Sequence, residues 1–503
     1  MIKNNKLSFF LKVKKIDILT GHPWIIILNE KDCHHFGITA GYKLVLKWRN
    51  KETEVVVDTT TSLVKGGEVG MFSDILKKYH IQENELAEFS FSEKPNSLKA
   101  IHKKLLGETL TYEEIYSVIK DVVDYRLNDI DMAFFSAPLF NEKSLSKEEI
   151  YYLTKAFCET GEILKFGYPV ADKHSVGGLP GNRVTPIIVS IVASYDVIIP
   201  KTSSRAITSA AGTADTFEAL APVGFSSDKI KEIVKKTNAC LVWGGSLKLA
   251  PADDRFIKVF YQLGIEPYLK MAVSVMSKKI AMGVTHLVLD IPVGPTAKIF
   301  DSRQAKKIKT LFLYLSDKFG IKTKVLIDKA VGPIGRGIGV GPEARDVLRV
   351  LQQKPDRPTD LEKKSIWLAG NLLDLLGIFD KGAGQKMAKE SLINGLAWKK
   401  MQEIILAQGG KVVDSEKIKL GKETFCIKSS KTGVIESIHN KNLVEVVRLL
   451  GSPEIKAAGV YLNKTVGEQI KRGEILFTLY APSPERLSLA LGAVKKLEIF
   501  RIV

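Results

Sequence analysis

Cysteine is scarce in this chain. Its 503 residues include four cysteines, Cys33, Cys158, Cys240 and Cys426, which lie far apart and show no Cys-x-x-Cys spacing. Disulfide frameworks and structural zinc sites need clustered thiols, so we expect neither. The Cys33-His34-His35 segment contains metal-ligand residue types, but adjacent side chains on an extended segment point to opposite faces. We interpret this segment as a surface turn or as a site of satisfied histidines, and predict no metal site.

Long hydrophobic runs are also missing. No window reaches the roughly 18 uncharged apolar residues of a membrane-spanning helix. Near the start, the only apolar run is 7–11. It is too short for the hydrophobic region of a secretory signal, and no small-residue cleavage site follows. We therefore expect no membrane association and a cytoplasmic location.

Acidic residues are in deficit, with 56 Asp and Glu against 74 Lys and Arg, which gives a formal net charge of +18. The basic residues are dispersed and are not interleaved with aromatic residues, so nucleic-acid binding is not expected. A field of this sign attracts small anions such as phosphate or a nucleotide. An RNA-binding protein remains the non-enzymatic alternative, and a steep salt dependence of nucleic-acid binding would indicate it.

Two loops rich in small and hydroxyl residues flank the apolar segment 184–199. The first contains Lys173, Ser175 and Gly177-Gly178; the second contains Ser203, Ser204, Thr208, Ser209, Gly212 and Thr213. Glycines let backbone N–H groups approach an anion, hydroxyls donate to its oxygens, and a lysine supplies charge. Two ordinary turns around a buried helix are the alternative. The pairing of two such loops favours an oxyanion site.

The motifs KHSVGG, PGNRVTP and PKTSSRAITSAAGTAD, in this order, resemble the thymidine and pyrimidine-nucleoside phosphorylase family. The branch of type 2 thymidine phosphorylases and AMP phosphorylases is the most similar, and the resemblance runs from about residue 101 to the last residue. It implies reversible phosphorolysis of an N-glycosidic bond. Thymidine, or a related nucleoside or nucleotide, reacts with phosphate to give free base and 2-deoxyribose 1-phosphate or a ribose phosphate. The alternative is an AMP phosphorylase that forms adenine and ribose 1,5-bisphosphate.

The resemblance also implies site residues. The positions that match phosphate ligands are Lys173, Ser175, Ser203 and Thr213. The positions that match substrate contacts are Gly178, Ser204, Arg205, Ala206, Ile207, Thr208, Ser209, Ser274 and Lys298. The catalytic candidates are His174, beside the leaving base and sugar; Lys278, one helical turn from Ser274; and Glu266. The resemblance further implies no cofactor, inorganic phosphate as co-substrate, and a homodimer or higher homo-oligomer.

The chain departs from the family pattern around the leaving base. The AMP phosphorylase branch has Ser-Ile-Asp where this chain has Gly264-Ile265-Glu266, and the shorter thymidine phosphorylases use an arginine in this region. No arginine lies between Arg255 and Arg303, so that contact is absent or comes from Lys258 or Lys278. Glutamate keeps the carboxylate but shifts it by about one methylene, and a shift of ~1 Å can lower a rate greatly.

The segment LAPADD (249–254) admits two interpretations. Paired carboxylates suit acid–base chemistry, but acidic residues also favour the first turn of a helix. We favour the helix start. A phosphoribosyltransferase of the same fold is another enzymatic alternative; its loop would read more like GTGGD. Here the loop reads AAGTAD, which leaves Asp215 as the only candidate magnesium ligand.

Apolar periodicity predicts an α/β protein with added domains. Period-two patterning predicts a β-rich N-terminal region, and strands alternating with helices predict a mostly parallel, mixed sheet. Helical spacing begins near Leu98, with capping boxes at Thr111/Glu114 and Ser146/Glu149. The expected domains are 1–92, β-rich; 95–165 with 250–285, a discontinuous helical domain that the resemblance implies; 166–249 with 286–425, a phosphate-binding α/β domain; and 426–503, α+β.

Overall fold

The computed structural model describes residues 8–21, 23–92, 94–141, 144–206, 209–263 and 267–503, without the side chains of Tyr261 and Leu263. The chain divides into two compact units, Met1–Ala156 with Arg255–Ile265 and Phe157–Asp254 with Glu266–Val503. None of the helices in these ranges is long and apolar enough to cross a membrane.

A closed barrel of six strands begins the first unit. The strands are β1 (Ser8–Ile16), β2 (Ile25–Asn29), β3 (Lys43–Trp48), β4 (Lys51–Thr60), β5 (Glu68–Phe72) and β6 (Leu86–Phe91), in the spatial order β1-β5-β2-β4-β3-β6. Alternate residues face the interior, where Leu44, Leu46 and Phe89 are fully buried. The expected β-rich region is thus confirmed.

Two short helices accompany the barrel, α1 (Glu30–Phe36) and α2 (Ser73–Tyr79). The Cys33-His34-His35 segment lies within α1, so of the two interpretations the surface turn is wrong. Cys33 is buried in the barrel core, whereas both histidines are exposed. Asn29 caps this helix by accepting a hydrogen bond from the Lys31 backbone N–H. This cap is a local helix signal, which we overlooked when we treated residues 33–35 as an extended segment.

Helices follow the barrel, as the change of period predicts. They are α3 (Ser97–Leu105), α4 (Tyr112–Val123), α5 (Asp129–Ser136) and α6 (Lys147–Glu159). Both predicted capping boxes are confirmed. The Thr111 hydroxyl accepts from the Glu114 N–H at 3.3 Å, and the Glu114 carboxylate accepts from the Thr111 N–H at 2.8 Å. Ser146 and Glu149 make the same reciprocal pair.

A parallel sheet forms the centre of the second unit. Its strands are β7 (Ala171–Ser175), β8 (Ile199–Ser203), β9 (Ala239–Trp243), β10 (His286–Val293) and β11 (Lys322–Lys329). β7 and β11 pair with β10, and β8 pairs with β9, all in parallel. A parallel bridge between Val170 and Ile198 joins the two groups. The spatial order is therefore β11-β10-β7-β8-β9, and all five carboxyl ends lie at one edge.

Helices accompany this sheet in the second unit. They are α7 (Val184–Ala193), α8 (Thr213–Phe217), α9 (Ser227–Thr237), α11 (Tyr268–Ala281), α12 (Ser302–Lys318), α13 (Val340–Leu351), α14 (Thr359–Leu376), α15 (Gly384–Ile393) and α16 (Leu396–Ala407). Helix α10 (Pro251–Leu263) begins in the second unit and ends in the first. Every residue of α7 is buried, because this helix packs against α14 and α16 in a hydrophobic core cluster of the second unit. The buried helix therefore lies between the strands β7 and β8 whose ends start the two loops.

The C-terminal part of the unit is α+β, as expected. Its elements are β12 (Gly337–Ile338), β13 (Glu423–Lys428), β14 (Gly433–Ile438), α17 (Asn440–Leu450), β15 (Gly459–Leu462), β16 (Gln469–Ile470), β17 (Ile475–Ala481), α18 (Pro484–Val494) and β18 (Phe500–Ile502). One sheet has the order β12-β15-β17-β13 and the other β16-β14-β18. Because β12 comes from the glycine-rich stretch 332–341, that stretch contributes a strand to the C-terminal sheet.

Candidate active site

The carboxyl ends of β7 and β8 bring the two predicted loops together. Lys173 to Ser175 end β7, and Ser203 ends β8. Lys201 ties the two strands by donating a hydrogen bond from Nζ to the backbone oxygen of Lys173 at 2.5 Å. Ligands bind at this edge in open parallel sheets, so the motifs lie where the fold class places a substrate.

A buried hydrogen-bonded network begins at Lys173. Its Nζ donates to the Ser175 hydroxyl, which donates in turn to Oδ2 of Asp290 on β10 at 2.7 Å. Burial lowers the pKa of Lys173 to about 7; the charge of Asp290 opposes this shift, and repulsion by Lys201 and Lys364 adds to it. Lys173 therefore changes charge near neutral pH, and a bound anion would favour its cationic form.

Asp172, the residue before Lys173, forms two buried ion pairs next to this hydrogen-bonded network. Its Oδ1 accepts from Lys201 Nζ at 2.9 Å, and its Oδ2 lies 2.6 Å from Lys279 Nζ on α11. Burial raises the pKa of the Asp172 carboxyl, but the two lysines outweigh burial and hold that pKa below its usual range. Burial lowers the pKa of Lys201 to about 8 in spite of Asp172. The interior beside Lys173 is thus rich in positive charge.

His174 lies between Lys173 and Ser175 on β7. Burial lowers its pKa well below the usual range, and Lys279, Lys201, Lys173 and Lys298 lower it further by repulsion. The imidazole is therefore neutral at pH 7. It can donate or accept a hydrogen bond, but it does not carry a proton for general-acid catalysis at that pH.

Ser203 has a buried hydroxyl oxygen without a hydrogen-bond partner among the residues that the structure describes. A buried hydroxyl left unpaired costs free energy, so it marks a position where a ligand or water would be stabilised. Farther along the second loop, the Ser209 hydroxyl donates to the Ala211 carbonyl at 2.8 Å. Thr213 begins α8 after Gly212.

Asp215 closes the second loop. Its carboxylate accepts from the backbone N–H groups of Ala206 at 2.7 Å and Gly212 at 2.9 Å, and from the Arg205 guanidinium at 2.9 Å. Gly212 is required here, because a β-carbon would lie 2.5 Å from the Ser204 carbonyl oxygen. The carboxylate of Asp215 is thus engaged inside its own loop. This weakens the phosphoribosyltransferase alternative, in which Asp215 was the only candidate magnesium ligand.

Arg205 makes further contacts around the second loop. Besides Asp215, its guanidinium donates to Glu218 at 2.6 Å and lies 4.9 Å from the centre of the Trp243 ring. The hydrogen bond from Arg205 holds the pKa of Glu218 below its usual range. The described contacts therefore direct Arg205 toward its own loop and β9.

A second polar group surrounds Asp253 in the first turn of α10. The carboxylate accepts from Ser274 Oγ and Lys278 Nζ, both at 2.6 Å, and lies 3.0 Å from Lys270 Nζ. Burial raises the pKa of Asp253, but Lys278 and Lys270 outweigh it and hold that pKa far below its usual range. Burial also lowers the pKa of Lys278, yet Asp253 and Asp254 raise it overall. Ser274 and Lys278 do share one helix face, as predicted.

Asp253 corrects one interpretation from the sequence. The start of a helix at LAPADD is confirmed, since α10 begins at Pro251. A helix start alone is nevertheless an incomplete account, because Asp253 is fully buried and holds three side chains of α11. The spacing of the segment could not reveal this, because the partners follow in the next helix.

The remaining predicted residues have separate positions. Lys298 is exposed in the turn after β10, and Gly178 adopts φ 54° after β7 with open space where a side chain would be. Ile207, Thr208 and Glu266 lie outside the described residues. Gly264 and Ile265, which precede Glu266 in the segment that differs from the Ser-Ile-Asp of the AMP phosphorylase branch, lie outside them as well.

Sequence reasoning missed most of the carboxylates and lysines that hold the two polar groups together. They are Asp172, Lys201, Lys270, Lys279, Asp290 and Lys364. Two of them left a signal. Asp290 interrupts the apolar strand 286–293, and Lys364 lies on the apolar face of α14 with Leu361 and Leu368. A charge within an apolar pattern predicts a buried ionic partner.

Known families match most of the chain. Residues 98–161 match the glycosyl transferase family helical bundle domain, residues 167–302 the a/b domain of that family, and residues 434–499 the pyrimidine nucleoside phosphorylase C-terminal domain. The fold and site therefore define a glycosyltransferase with a helical bundle and an α/β domain.

Full-length relatives narrow the class. An AMP phosphorylase from Methanocaldococcus jannaschii is 40% identical over 482 residues, which covers 96% of this chain and 95% of the relative. A Legionella pneumophila (strain Paris) protein named "Putative thymidine phosphorylase" is 38% identical over 501 residues and 98% of this chain, with 96% of its own length covered. The chain belongs to the thymidine phosphorylase and AMP phosphorylase family, which confirms the resemblance drawn from the 173–213 motifs.

One solved structure shows the fold in a different setting. The crystal structure of anthranilate phosphoribosyltransferase from Thermus thermophilus aligns with a TM-score of 0.50 and 18% identity. The alignment covers 62% of this chain and 99% of the phosphoribosyltransferase chain. At this identity the likeness concerns the fold alone.

Proposed function

We propose that this chain catalyses the reversible phosphorolysis of a nucleoside or nucleoside 5′-monophosphate. The single observation that carries the proposal is the unpartnered, buried hydroxyl of Ser203 at the same sheet edge as Lys173 and Ser175. A family of phosphorylases needs an anion site there, and these groups have the chemistry to bind one.

Phosphate is the proposed nucleophile. Lys173, Ser175, Ser203 and Thr213 would hold it, in an interior whose lysines favour a bound anion. A phosphate oxygen forms a bond to the anomeric carbon while the bond from that carbon to the base nitrogen breaks, through an oxocarbenium-like state. The chain's contribution is to orient and desolvate the phosphate, which removes much of the entropic barrier.

The leaving base is the second half of the proposal. Neutral His174 would donate a hydrogen bond to the substrate beside the base and sugar. Ser274 and Lys278 would contact the base, and Glu266 would deliver the proton that the departing nitrogen takes up. Support for Ser274 and Lys278 comes from their shared anchor on Asp253, which fixes both side chains on one face of α11.

The substrate is a nucleoside or its 5′-monophosphate. The names of the relatives include AMP phosphorylase and thymidine phosphorylase, so thymidine and AMP are the first candidates to test. Gly178, Ser204, Arg205, Ala206, Ile207, Thr208, Ser209 and Lys298 complete the proposed substrate contacts. Inorganic phosphate as co-substrate without another cofactor, a homodimer or higher homo-oligomer, and a cytoplasmic location belong to the same proposal.

The test is an incubation of the purified chain with inorganic phosphate and a panel of nucleosides and 5′-monophosphates. We expect free base and a sugar 1-phosphate in equal amounts from at least one substrate. Omission of phosphate should abolish base release. Base release without phosphate, or only with a pentose diphosphate as partner, would contradict the proposal.

A further inference from the structure

A row of charged groups runs from α14 to the proposed phosphate ligands. Lys364 on α14 has a buried side chain, and its Nζ lies 3.1 Å from Oδ1 of Asp290 and 3.1 Å from Oδ2 of Asp328. Asp290 is fully buried at β10, whereas the Asp328 side chain is 39% exposed at β11. Lys364 therefore joins the two strands from the side of the helix.

The two oxygens of Asp290 face different partners. Oδ1 faces Lys364, and Oδ2 accepts the hydrogen bond from Ser175, whose oxygen also accepts from Lys173. Asp290 and Ser175 are in register across β10 and β7, so the backbone holds the carboxylate opposite the hydroxyl. Lys364 thus reaches Lys173 through two intermediate residues.

The charge of Asp290 creates a problem for anion binding. A buried carboxylate beside Ser175 repels a phosphate oxygen and attracts Lys173 away from it, and both effects are strong in a low-dielectric interior. A cation on the far side of the carboxylate cancels much of that field. Lys364 occupies this position, since it contacts the oxygen of Asp290 that Ser175 does not use.

We propose that Lys364 is a positioning residue for the phosphate co-substrate, which it serves by neutralising Asp290 and holding that carboxylate against Ser175. Lys173 and Ser175 then stay available to the incoming anion. The inference rests on the proposed function for its co-substrate. It adds a residue of α14 for which no described hydrogen bond or ion pair reaches a proposed ligand.

The first experiment compares phosphate KM and nucleoside KM in the wild type, Lys364→Met and Lys364→Arg. Because Lys364→Met leaves a buried charge uncompensated, phosphate KM should rise about tenfold or more, with nucleoside KM nearly unchanged. Lys364→Arg keeps the charge and should restore most of the phosphate affinity. An unchanged phosphate KM in Lys364→Met, or an equal rise in both KM values, would overturn the proposal.

Asp328→Asn is the matched control. Asp328 lies as close to Lys364 as Asp290 does, but no described hydrogen bond or ion pair joins it to Ser175 or Lys173. Its loss should leave phosphate KM within about twofold of wild type, as for partly exposed ion pairs. A tenfold rise of phosphate KM in Asp328→Asn would show that Lys364 acts through Asp328 and not through Asp290, which would contradict the proposal.

A coupling test covers the case in which Lys364→Met does not fold. Asp290→Asn removes the buried charge, so Asp290→Asn/Lys364→Met contains no uncompensated carboxylate at position 290. If Lys364 acts through Asp290, adding Lys364→Met to Asp290→Asn should change phosphate KM by less than about twofold. A tenfold change in that background would contradict the proposal.

The pH profile separates positioning from a purely structural role. Besides burial, the charges of Asp290, Lys201, Lys364 and Asp172 affect the pKa of Lys173. Removal of Lys364 removes one repelling cation and so raises that pKa. The pH at which phosphate affinity is half lost on the alkaline side should therefore rise in Lys364→Met. An unshifted profile with reduced activity would indicate structural damage alone.

Direct calorimetry with inorganic phosphate distinguishes this inference from the proposed function. Wild type that releases no base in phosphate would refute the proposed function, and phosphate binding to the variants would still test Lys364. Active wild type together with unchanged phosphate affinity in Lys364→Met would refute the inference alone.

Discussion

Lys279 on α11 places its Nζ 2.6 Å from Oδ2 of Asp172 on β7, and both residues are buried. The next residue back on α11, Lys278, faces Asp253, and the next residue on β7 is Lys173. One ion pair therefore connects the helix of the proposed base contacts to the strand of the proposed phosphate contacts. The connection runs through the interior of the second unit.

Asp172→Asn should destabilise the chain strongly, because it leaves Lys201 and Lys279 without their shared carboxylate. We expect a loss of about 3 to 5 kcal/mol in the free energy of unfolding, as for other buried pairs broken on one side. Lys279→Met should cost less, since Asp172 keeps Lys201. Urea denaturation measures both. Costs that simply add in the double variant would contradict a direct interaction.

Ser203→Ala should weaken phosphate binding without loss of stability. The hydroxyl has no hydrogen-bond partner in the described part of the chain, so its removal breaks no hydrogen bond there. A hydrogen bond to a charged ligand contributes about 1.5 to 3 kcal/mol, which corresponds to at least a tenfold loss of affinity. Calorimetric titration with phosphate measures it.

Ser190→Ala provides the control for Ser203→Ala. Ser190 is buried in α7, and its hydroxyl donates to the Pro186 carbonyl at 2.9 Å. This variant should keep phosphate affinity. Equal affinities in Ser203→Ala and wild type would show that the Ser203 hydroxyl does not bind phosphate.

Phosphate binding at pH 8 should take up protons. The pKa of Lys173 is about 7 in the free chain, so most Lys173 is neutral at pH 8. Bound phosphate favours the ammonium form and raises that pKa, which draws a proton from the buffer. Titrations in two buffers with different ionisation enthalpies measure the uptake. Lys173→Arg stays charged and should show less uptake; identical uptake would exclude Lys173 as its source.

Asp253→Asn should move an alkaline limit of activity to lower pH. In the wild type Asp253 raises the pKa of Lys278, while burial opposes it. Without the Asp253 carboxylate, burial is opposed by Asp254 alone and the pKa of Lys278 falls, so the ammonium is lost at a lower pH. The pH dependence of kcat/KM for the nucleoside measures this shift. A limit that stays in place would show that Lys278 does not act as a cation toward the base.

Glu266→Gln should reduce turnover and remove the fall in activity that occurs as pH rises through the pKa of the carboxyl, because glutamine cannot deliver a proton to the base. General-acid catalysis contributes typically about 10²- to 10⁴-fold, so the loss should fall in that range. Glu266→Asp restores the carboxylate of the AMP phosphorylase branch and should retain activity. Unchanged turnover in Glu266→Gln would remove Glu266 from the mechanism.

The sequence predicted those parts of the fold that depend on local pattern. Val184 to Ala193 read as an apolar segment between two hydroxyl-rich loops, and it forms a fully buried helix between them. Thr111 and Ser146 marked helix starts by their reciprocal caps, which need only residues three positions apart. Such contacts are encoded by spacing alone.

The supporting charges could not be predicted in the same way. Ser175 and Asp290 are 115 positions apart, and only the parallel pairing of their strands brings the two oxygens to 2.7 Å. Spacing showed Ser274 and Lys278 on one face, but their shared partner depends on how the first turn of α10 packs on α11. A charge in an apolar pattern indicates that a partner exists without indicating which residue it is.

The barrel of residues 8–91 has a consequence for recognition. Each of its six strands has a hydrogen-bonded neighbour on both sides, so no row of backbone N–H and C=O groups is left open along an edge. A visiting peptide cannot extend this sheet by adding a strand. Any molecule that docks on the barrel must instead recognise the shape and charge of its side chains and connecting turns.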